Sequence, residues 1–165
     1  MSTIQKINPN LWFNGNAEEA ANYYISIFPN SKITRKLHIT EDVAKAMNAP
    51  IGSLLLIEFE LAGQLFMGLN GGPQFPFNEA ISLVVNCTDQ KEVDHYWEKL
   101  GAGGDPKARQ CGWLKDKFGM SWQVVPTAQI DMITDKDPVK VNRVMAAMMQ
   151  MKKLDIAELQ RAFNG

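Results

Sequence analysis

Leu11-Trp12-Phe13-Asn14-Gly15-Asn16-Ala17-Glu18-Glu19-Ala20-Ala21-Asn22-Tyr23-Tyr24-Ile25-Ser26-Ile27-Phe28 reads as a strand end, a turn and an amphipathic helix, and the chain repeats that order 72 residues later. In the second copy Leu83 falls on Leu11, Asn86 on Asn14, Val93 on Ala21, Tyr96 on Tyr24 and Leu100 on Phe28. Side chains three and four apart in each copy share one stripe, with Ala20, Ala21, Tyr24, Ile27 and Phe28 in the first. A repeat of this kind means that one supersecondary unit is used twice.

Around this anchor the other elements follow from local chemistry. Ile4 to Phe13 is β-branched and aromatic and reads as a strand, and Asn16 stands where a helix cap is needed. Lys32 to Ile39 is a second strand. Thr40 to Gly52 is polar, with a short helix ending at Asn48-Ala49-Pro50. Ser53 to Leu61 and Gln64 to Leu69 flank Ala62-Gly63 as a hairpin. In the second copy Ala80 to Cys87 is a strand, Thr88 or Asp89 caps a helix to about Leu100, and Lys107 to Gln110 is a short strand. Gly112 to Asp116 and Ser121 to Val125 form a hairpin around Phe118-Gly119. The terminal hairpins match at a shift of 56, with Gly63 on Gly119 and Phe66 on Trp122, and the 16 lost positions fall where the first copy has its extra polar loop. The expected class is α+β: two βαβββ modules, about 1–74 and 75–126, in a single domain over 1–165 with C-terminal helices from 127 to 165.

The tail has its own signals. Asp137-Pro138 is a cap followed by proline at the first helical position. Val141, Val144, Met145, Met148 and Met149 follow at helical spacing. Asp155 to Glu158 has the form of a capping box, opening a helix with Ile156, Leu159 and Phe163 on one face. These helices either pad the outside of the sheet or form a methionine-rich lid or dimer face.

Composition sets limits. The 165 residues are 45% hydrophobic and 21% charged, as in a globular chain, and the formal net charge of -1 supplies no field for a nucleic acid backbone. Leu54 to Ile57 is the longest apolar run, too short for a membrane span. Met1 to Lys6 lacks a signal pattern, and Cys87 and Cys111 form no disulfide framework. A soluble, cytoplasmic protein without nucleic acid or membrane partners is expected.

Phe13 to Ala20 followed by Tyr23-Tyr24, Phe66 to Pro73, Phe75 to Ala80, Cys111-Gly112-Trp113-Leu114-Lys115-Asp116, Phe118-Gly119 to Pro126 and the tail Met151 to Leu159 resemble the PhnB-like family. This is a branch of the vicinal-oxygen-chelate, or glyoxalase and bleomycin-resistance, superfamily, and its members often carry the name 3-demethylubiquinone-9 3-methyltransferase. The resemblance implies paired βαβββ modules in an open barrel (the glyoxalase/bleomycin-resistance/dioxygenase fold), a cavity and a homodimer.

Metal-using relatives place one ligand on the first and one on the last strand of each module. Alternation along the strands puts Leu11 and Phe13 under the helix, so Asn8, Asn10 and Trp12 face the cavity, with Ala80, Ser82 and Val84 in the second module. The closing-strand positions resemble Met67 and Gln123. The quartet Asn8, Met67, Ala80 and Gln123 holds no His, Cys, Asp or Glu, and moving the register to Asn10 and Ser82 adds none. A divalent ion needs anionic or imidazole ligands, so no metal and no cofactor are expected. His38 and His95 read as exposed or packed residues. Cys111, on or beside a cavity strand, is either a nucleophile or buried structure. Gly71-Gly72 precedes Pro73 with no helix behind it, unlike the glycine-rich turn of a nucleotide-type methyltransferase site.

The expected cavity is lined by Asn8, Asn10, Ser82 and Gln123, which orient carbonyl or hydroxyl groups, and by Trp12, Met67, Leu69 and Trp113, which bury an apolar part. Trp122 points away from Gln123, towards the core. The expected function is the binding of a small, partly apolar molecule in a metal-free cavity. The alternative is a metal-independent enzyme, an isomerase, lyase or transferase. A titratable group with a shifted pKa in the cavity would favour the latter; Lys115 and Asp116 sit near a hairpin turn, and Glu58 lies on a strand whose facing the sequence leaves open.

Overall fold

The computed structural model describes residues 5–165, and the chain divides after Pro76 into two compact units. In the first, β1 (Asn10–Phe13), α1 (Ala17–Ile27), β2 (Lys32–His38), α2 (Glu41–Met47), β3 (Leu54–Leu61) and β4 (Gln64–Asn70) follow in chain order. The strands form one sheet ordered β1-β4-β3-β2, with β1 parallel to β4 and the other neighbours antiparallel. The strand expected from Ile4 is shorter than read, and Ile4 itself lies outside the described residues. Pro9 has no N–H to give a ladder, although its carbonyl accepts from Met67 N at 2.9 Å. The Gln5 side chain then substitutes for backbone, bonding both Leu65 N and Leu65 O.

Helix α1 covers one face of this sheet. Leu11, Phe13, Ala17, Ala20, Ala21, Tyr24, Ile57, Phe59 and Phe66 are buried between them, with Tyr24, Phe59 and Phe66 in a stacked series at centroid distances of 6.4 and 5.7 Å. Gly68 permits this approach, since a Cβ there would lie 3.0 Å from Ile57 Cγ2 and 3.4 Å from Ala17 Cβ. Asn16 is the N-cap residue, as expected, but its side chain makes no capping bond. Asn70 Oδ1, at the end of β4, accepts from Ala17 N at 3.0 Å instead. The hairpin turn is a two-residue one: Ala62 and Gly63 both have positive φ, at 48° and 85°, the geometry that matches strand twist.

The second unit contains β5 (Leu83–Cys87), α3 (Gln90–Gly101), a single 3-10 turn (Pro106–Ala108), β6 (Trp113–Lys115), β7 (Ser121–Pro126), α4 (Thr127–Ile133), α5 (Pro138–Met149) and α6 (Ile156–Asn164). Its sheet is ordered β5-β7-β6. Two expectations are corrected here. The strand read from Ala80 starts at Leu83, so Ala80 and Ser82 precede it. Lys107 to Gln110 is not a strand: Pro106 begins a 3-10 turn, and Asp105 Oδ1 takes Lys107 N at 2.8 Å. Only an isolated bridge, Gln110 to Trp113, remains. Arg109 instead serves the preceding helix, donating to Gly101 O at 2.6 Å with its guanidinium 5.9 Å from the Trp97 ring centre. The module repeat thus holds in element order, with one strand replaced by a turn.

The caps of the second unit follow the sequence. Asp89, Asp137 and Asp155 accept from Glu92 N, Val139 N and Glu158 N, and Glu92 returns a carboxylate oxygen to Thr88 N. Val85, Cys87, Val93, Trp97, Leu114, Trp122 and Val124 are buried in this unit. A further cluster joins Met132, Val144, Met151, Leu154 and Leu159 in the tail. Val144 is fully buried and Met148 packs partly against this cluster, so only Met145 and Met149 of the expected methionine face are exposed. No helix among the described residues is long and apolar enough to cross a membrane.

Candidate functional site

The face of the first sheet turned away from α1 carries two adjacent cross-strand rows. Register places Asn10 beside Met67 and Met67 beside Glu58, and in the next row Trp12 beside Leu69 and Leu69 beside Leu56. Asn10 is exposed and the other five are half-buried. The alternation read along β1 for Leu11, Phe13, Asn10 and Trp12 is therefore the observed one, and Met67 and Leu69 share the face of Asn10 and Trp12. The structure also fixes the facing of Glu58: it shares the Asn10 and Met67 row, and its carboxylate accepts from Arg35 Nε at 3.1 Å. Glu58 side chain is 18% exposed against 79% for Arg35, so the carboxylate is held in the sheet face while its partner reaches outward.

Trp12 is anchored at both ends. Its Nε1 donates to Gly72 O at 2.8 Å and its ring meets Phe75 edge-on at 4.8 Å. Gly71 lies flat on the indole, where a Cβ would come within 2.2 Å of the ring. Asn8 lies before β1, half-buried, with its Oδ1 buried and unpartnered.

In the second unit Gln123 sits between Val84 and Trp113 in register, and its Nε2 donates to Ser82 Oγ at 2.8 Å. Ser82, Trp113 and Gln123 are thus brought together, whereas Ala80 is exposed ahead of the strand. Trp122 is buried on the opposite face, as expected, and Asp116 is buried beside it. Among the described residues no group of three His, Cys, Asp or Glu side chains could hold a metal ion. His38 and His95 are exposed, and His95 packs edge-on against Tyr96.

Cys111 adopts a left-handed backbone, φ 49°, with its N–H on Met151 O at 2.9 Å and its Sγ 3.9 Å from Met149 Sδ. The other thiol, Cys87, is fully buried, which pushes its pKa up to about 12, with Glu92 and Asp89 adding to the rise.

A cleft open to solvent, of about 340 Å³, lies in the first unit at the ends of β1 and β4, between Asn14, Gly15 and the Ile39–Leu54 loop. Nothing in the sequence marked it, because its wall is the polar insertion that breaks the repeat.

The model of the 3-demethylubiquinone-9 3-methyltransferase family matches residues 5–125. The chain belongs to that family. A PhnB protein from Bacillus cereus carrying the same methyltransferase name is 34% identical, with a TM-score of 0.63 over 74% of this chain and 100% of that one. Two more distant structures show the fold alone. One is a Pseudomonas aeruginosa protein, 21% identical with a TM-score of 0.56, covering 75% of this chain and 98% of that one. The other is the fosfomycin resistance protein FosX from Listeria monocytogenes, 14% identical with a TM-score of 0.53, covering 82% and 99%. No curated protein matches the chain. These likenesses bear out the α+β, glyoxalase/bleomycin-resistance fold, and α4, α5 and α6 are the expected C-terminal helices. The family match ends at 125, so the tail resemblance over Met151 to Leu159 lies beyond it.

Proposed function

We propose that this family member binds a small, partly apolar molecule on the sheet face of Asn10, Trp12, Met67 and Leu69. The pairing of rows supports the reading: Asn10 and Glu58 put polar groups on either side of Met67, beside the wholly apolar row of Trp12, Leu69 and Leu56. A ligand with one polar edge and one apolar edge matches both at once, the usual division of labour in a small-molecule site. Within the first unit Asn8 is a further orienting amide of this proposal; in the second unit Ser82, Trp113 and Gln123 are proposed by themselves as a hydroxyl, an apolar wall and an amide that contact a ligand. Binding is metal-free in this reading, because Asn8, Met67, Ala80 and Gln123 offer amides, a thioether and a methyl where an ion needs anionic or imidazole ligands. The protein works in the cytoplasm as a homodimer and has no nucleic acid or membrane partner.

The test is native mass spectrometry of freshly purified protein, with organic extraction of whatever it retains. Wild-type protein carries a small molecule that Met67→Arg, folded by circular dichroism, has lost. Equal retention by both, or none in the wild type after incubation with a cell extract, removes the reading.

Glu58 favours a second reading, a metal-independent isomerase, lyase or transferase in which this carboxylate moves a proton. The methyltransferase name fits less well. A nucleotide-type methyl donor needs backbone free to cradle it at a helix start, whereas Gly71 is pressed on Trp12 and a Cβ on Gly72 would meet Gln74. If the enzyme reading holds, Glu58→Gln abolishes turnover of the extracted molecule while leaving its retention intact.

A further inference from the structure

The geometry points to a second ligand site in the first unit: the cavity at the ends of β1 and β4 takes a small neutral molecule with an apolar ring or chain and one carbonyl or hydroxyl. Its volume of about 340 Å³ falls in the lower part of the range of roughly 300–1,000 Å³ seen for small-molecule sites. None of Asn10, Trp12, Glu58, Met67 or Leu69 lines it, so it is separate from the face proposed above, which it meets only where Trp12 donates to Gly72 O.

The walls are built and pinned. Ile39 N donates to Ser53 O at 2.8 Å and Gly52 N to Ile39 O at 2.9 Å, closing the neck of the loop that carries Ala49 and Pro50. Ser53 Oγ donates to Pro50 O at 2.7 Å. Asn70 ties the opposite side, accepting from Ala17 N and donating to Leu54 O at 3.0 Å each. A site held in this way loses little entropy when it is filled.

The chemistry of the ligand follows from which groups are already committed. Glu18 is the one ionisable residue in the lining, and it is paired with Lys36. A charged ligand would therefore give up water for no free counter-charge. The Asn70 amide spends one N–H and its oxygen within the protein, which leaves its second N–H, the Ser53 hydroxyl proton goes to Pro50 O, and Gly72 O already accepts from Trp12. The Asn14 amide makes no hydrogen bond among the described residues and lines the cavity. It can donate to a carbonyl or hydroxyl and accept from a hydroxyl. Ile39, Ala49, Pro50 and Leu54 supply the apolar wall for the rest of the molecule.

The experiment is a two-dimensional amide NMR titration of the full chain with cyclohexanone and cyclohexanol, beside cyclohexanecarboxylate and cyclohexylammonium at equal concentration. The site predicts saturable shifts at Gly15, Ala49, Ser53 and Leu54 with the two neutral probes. Asn14→Leu, on an exposed turn, weakens them about three- to tenfold, the worth of one neutral hydrogen bond, and Ala49→Trp abolishes them by filling the space. If Ala49→Trp fails to fold, Asn14→Leu alone carries the test. The proposal is overturned by stronger binding of either charged probe, by an Asn14→Leu affinity equal to wild type, or by shifts confined to the Asn10 and Met67 face. Loss of the molecule retained on that face leaves this titration unchanged, so the two readings fail separately.

Discussion

Trp122 and Asp116 are joined across the last hairpin, the indole Nε1 donating to Oδ2 at 2.8 Å with both residues buried. The other carboxylate oxygen, Oδ1, takes Phe118 N at 2.8 Å and Met120 N at 3.0 Å. One side chain thus holds both the turn and the core indole. Asp116→Ala removes the acceptor of three donors, and with bonds to a charged group worth about 1.5–3 kcal/mol each, the expected loss is at least about 4 kcal/mol. Urea unfolding measures it, and a loss below about 1 kcal/mol, that of an ordinary surface change, would refute the clamp.

Asn70 does for the first unit what a capping residue usually does from within a helix. Asn70→Ala frees Ala17 N and Leu54 O, at a cost of about 1–3 kcal/mol. Asn16→Ala, whose side chain makes no cap bond, costs much less than the usual cap loss of about 1 kcal/mol. Equal losses for the two variants would show that Asn16 caps after all.

The two thiols separate by environment. At pH 8 iodoacetamide labels Cys111 in the folded protein, and Cys87 reacts only after denaturation, as peptide mass spectrometry can establish. The raised Cys87 pKa also gives a pH dependence. The unfolded thiol ionises near its ordinary 9.0 while the folded one holds its proton to about 12. Its contribution to stability is complete below pH 9 and is lost as pH rises towards 12. Cys87→Ala should flatten the alkaline fall in stability over that window. An unchanged slope would mean other groups cause it.

Leu154 ties the tail to Gly112, just before β6. It is fully buried and meets Gly112, whose N–H donates to Lys152 O at 2.8 Å next to the Cys111 bond to Met151 O. Leu154→Ala should cost about 2–5 kcal/mol and speed hydrogen exchange at Cys111 and Gly112 before it does so at Val124. Uniform acceleration at all three amides would mean that the tail and sheet open together.

The proposed homodimer is tested on the exposed part of α5. Met145→Asp keeps the monomer folded and shifts sedimentation from dimer to monomer, whereas Val144→Asp unfolds the chain, since Val144 has no exposure. Wild-type protein that sediments as a monomer at high concentration removes the assembly proposal.

Periodicity made much of this fold legible. Period two assigned Leu11 and Phe13 to the helix side of β1 and Asn10 and Trp12 to the other face, the resemblance supplied Met67, and the Asp89, Asp137 and Asp155 caps were readable because a cap is a contact within four residues. Lys107 to Gln110 was misread because its fate depends on Asp105 and on the distant Gly101 carbonyl that Arg109 reaches. The facing of Glu58 was undecided because an all-apolar start to its strand, Leu54 to Ile57, hides the alternation.

The sequence by itself determined the order of elements, the repeat and the helix starts, because these rest on interactions between residues a few positions apart. The tertiary structure decided what long-range partners decide. Asn70 rather than Asn16 takes the free N–H at the start of α1. Glu58 lies in the row of Asn10 and Met67, and the polar insertion becomes a cavity wall. Each of these joins segments distant along the chain, and only the register of packed strands brings such groups within the roughly 3 Å at which a hydrogen bond can choose between them.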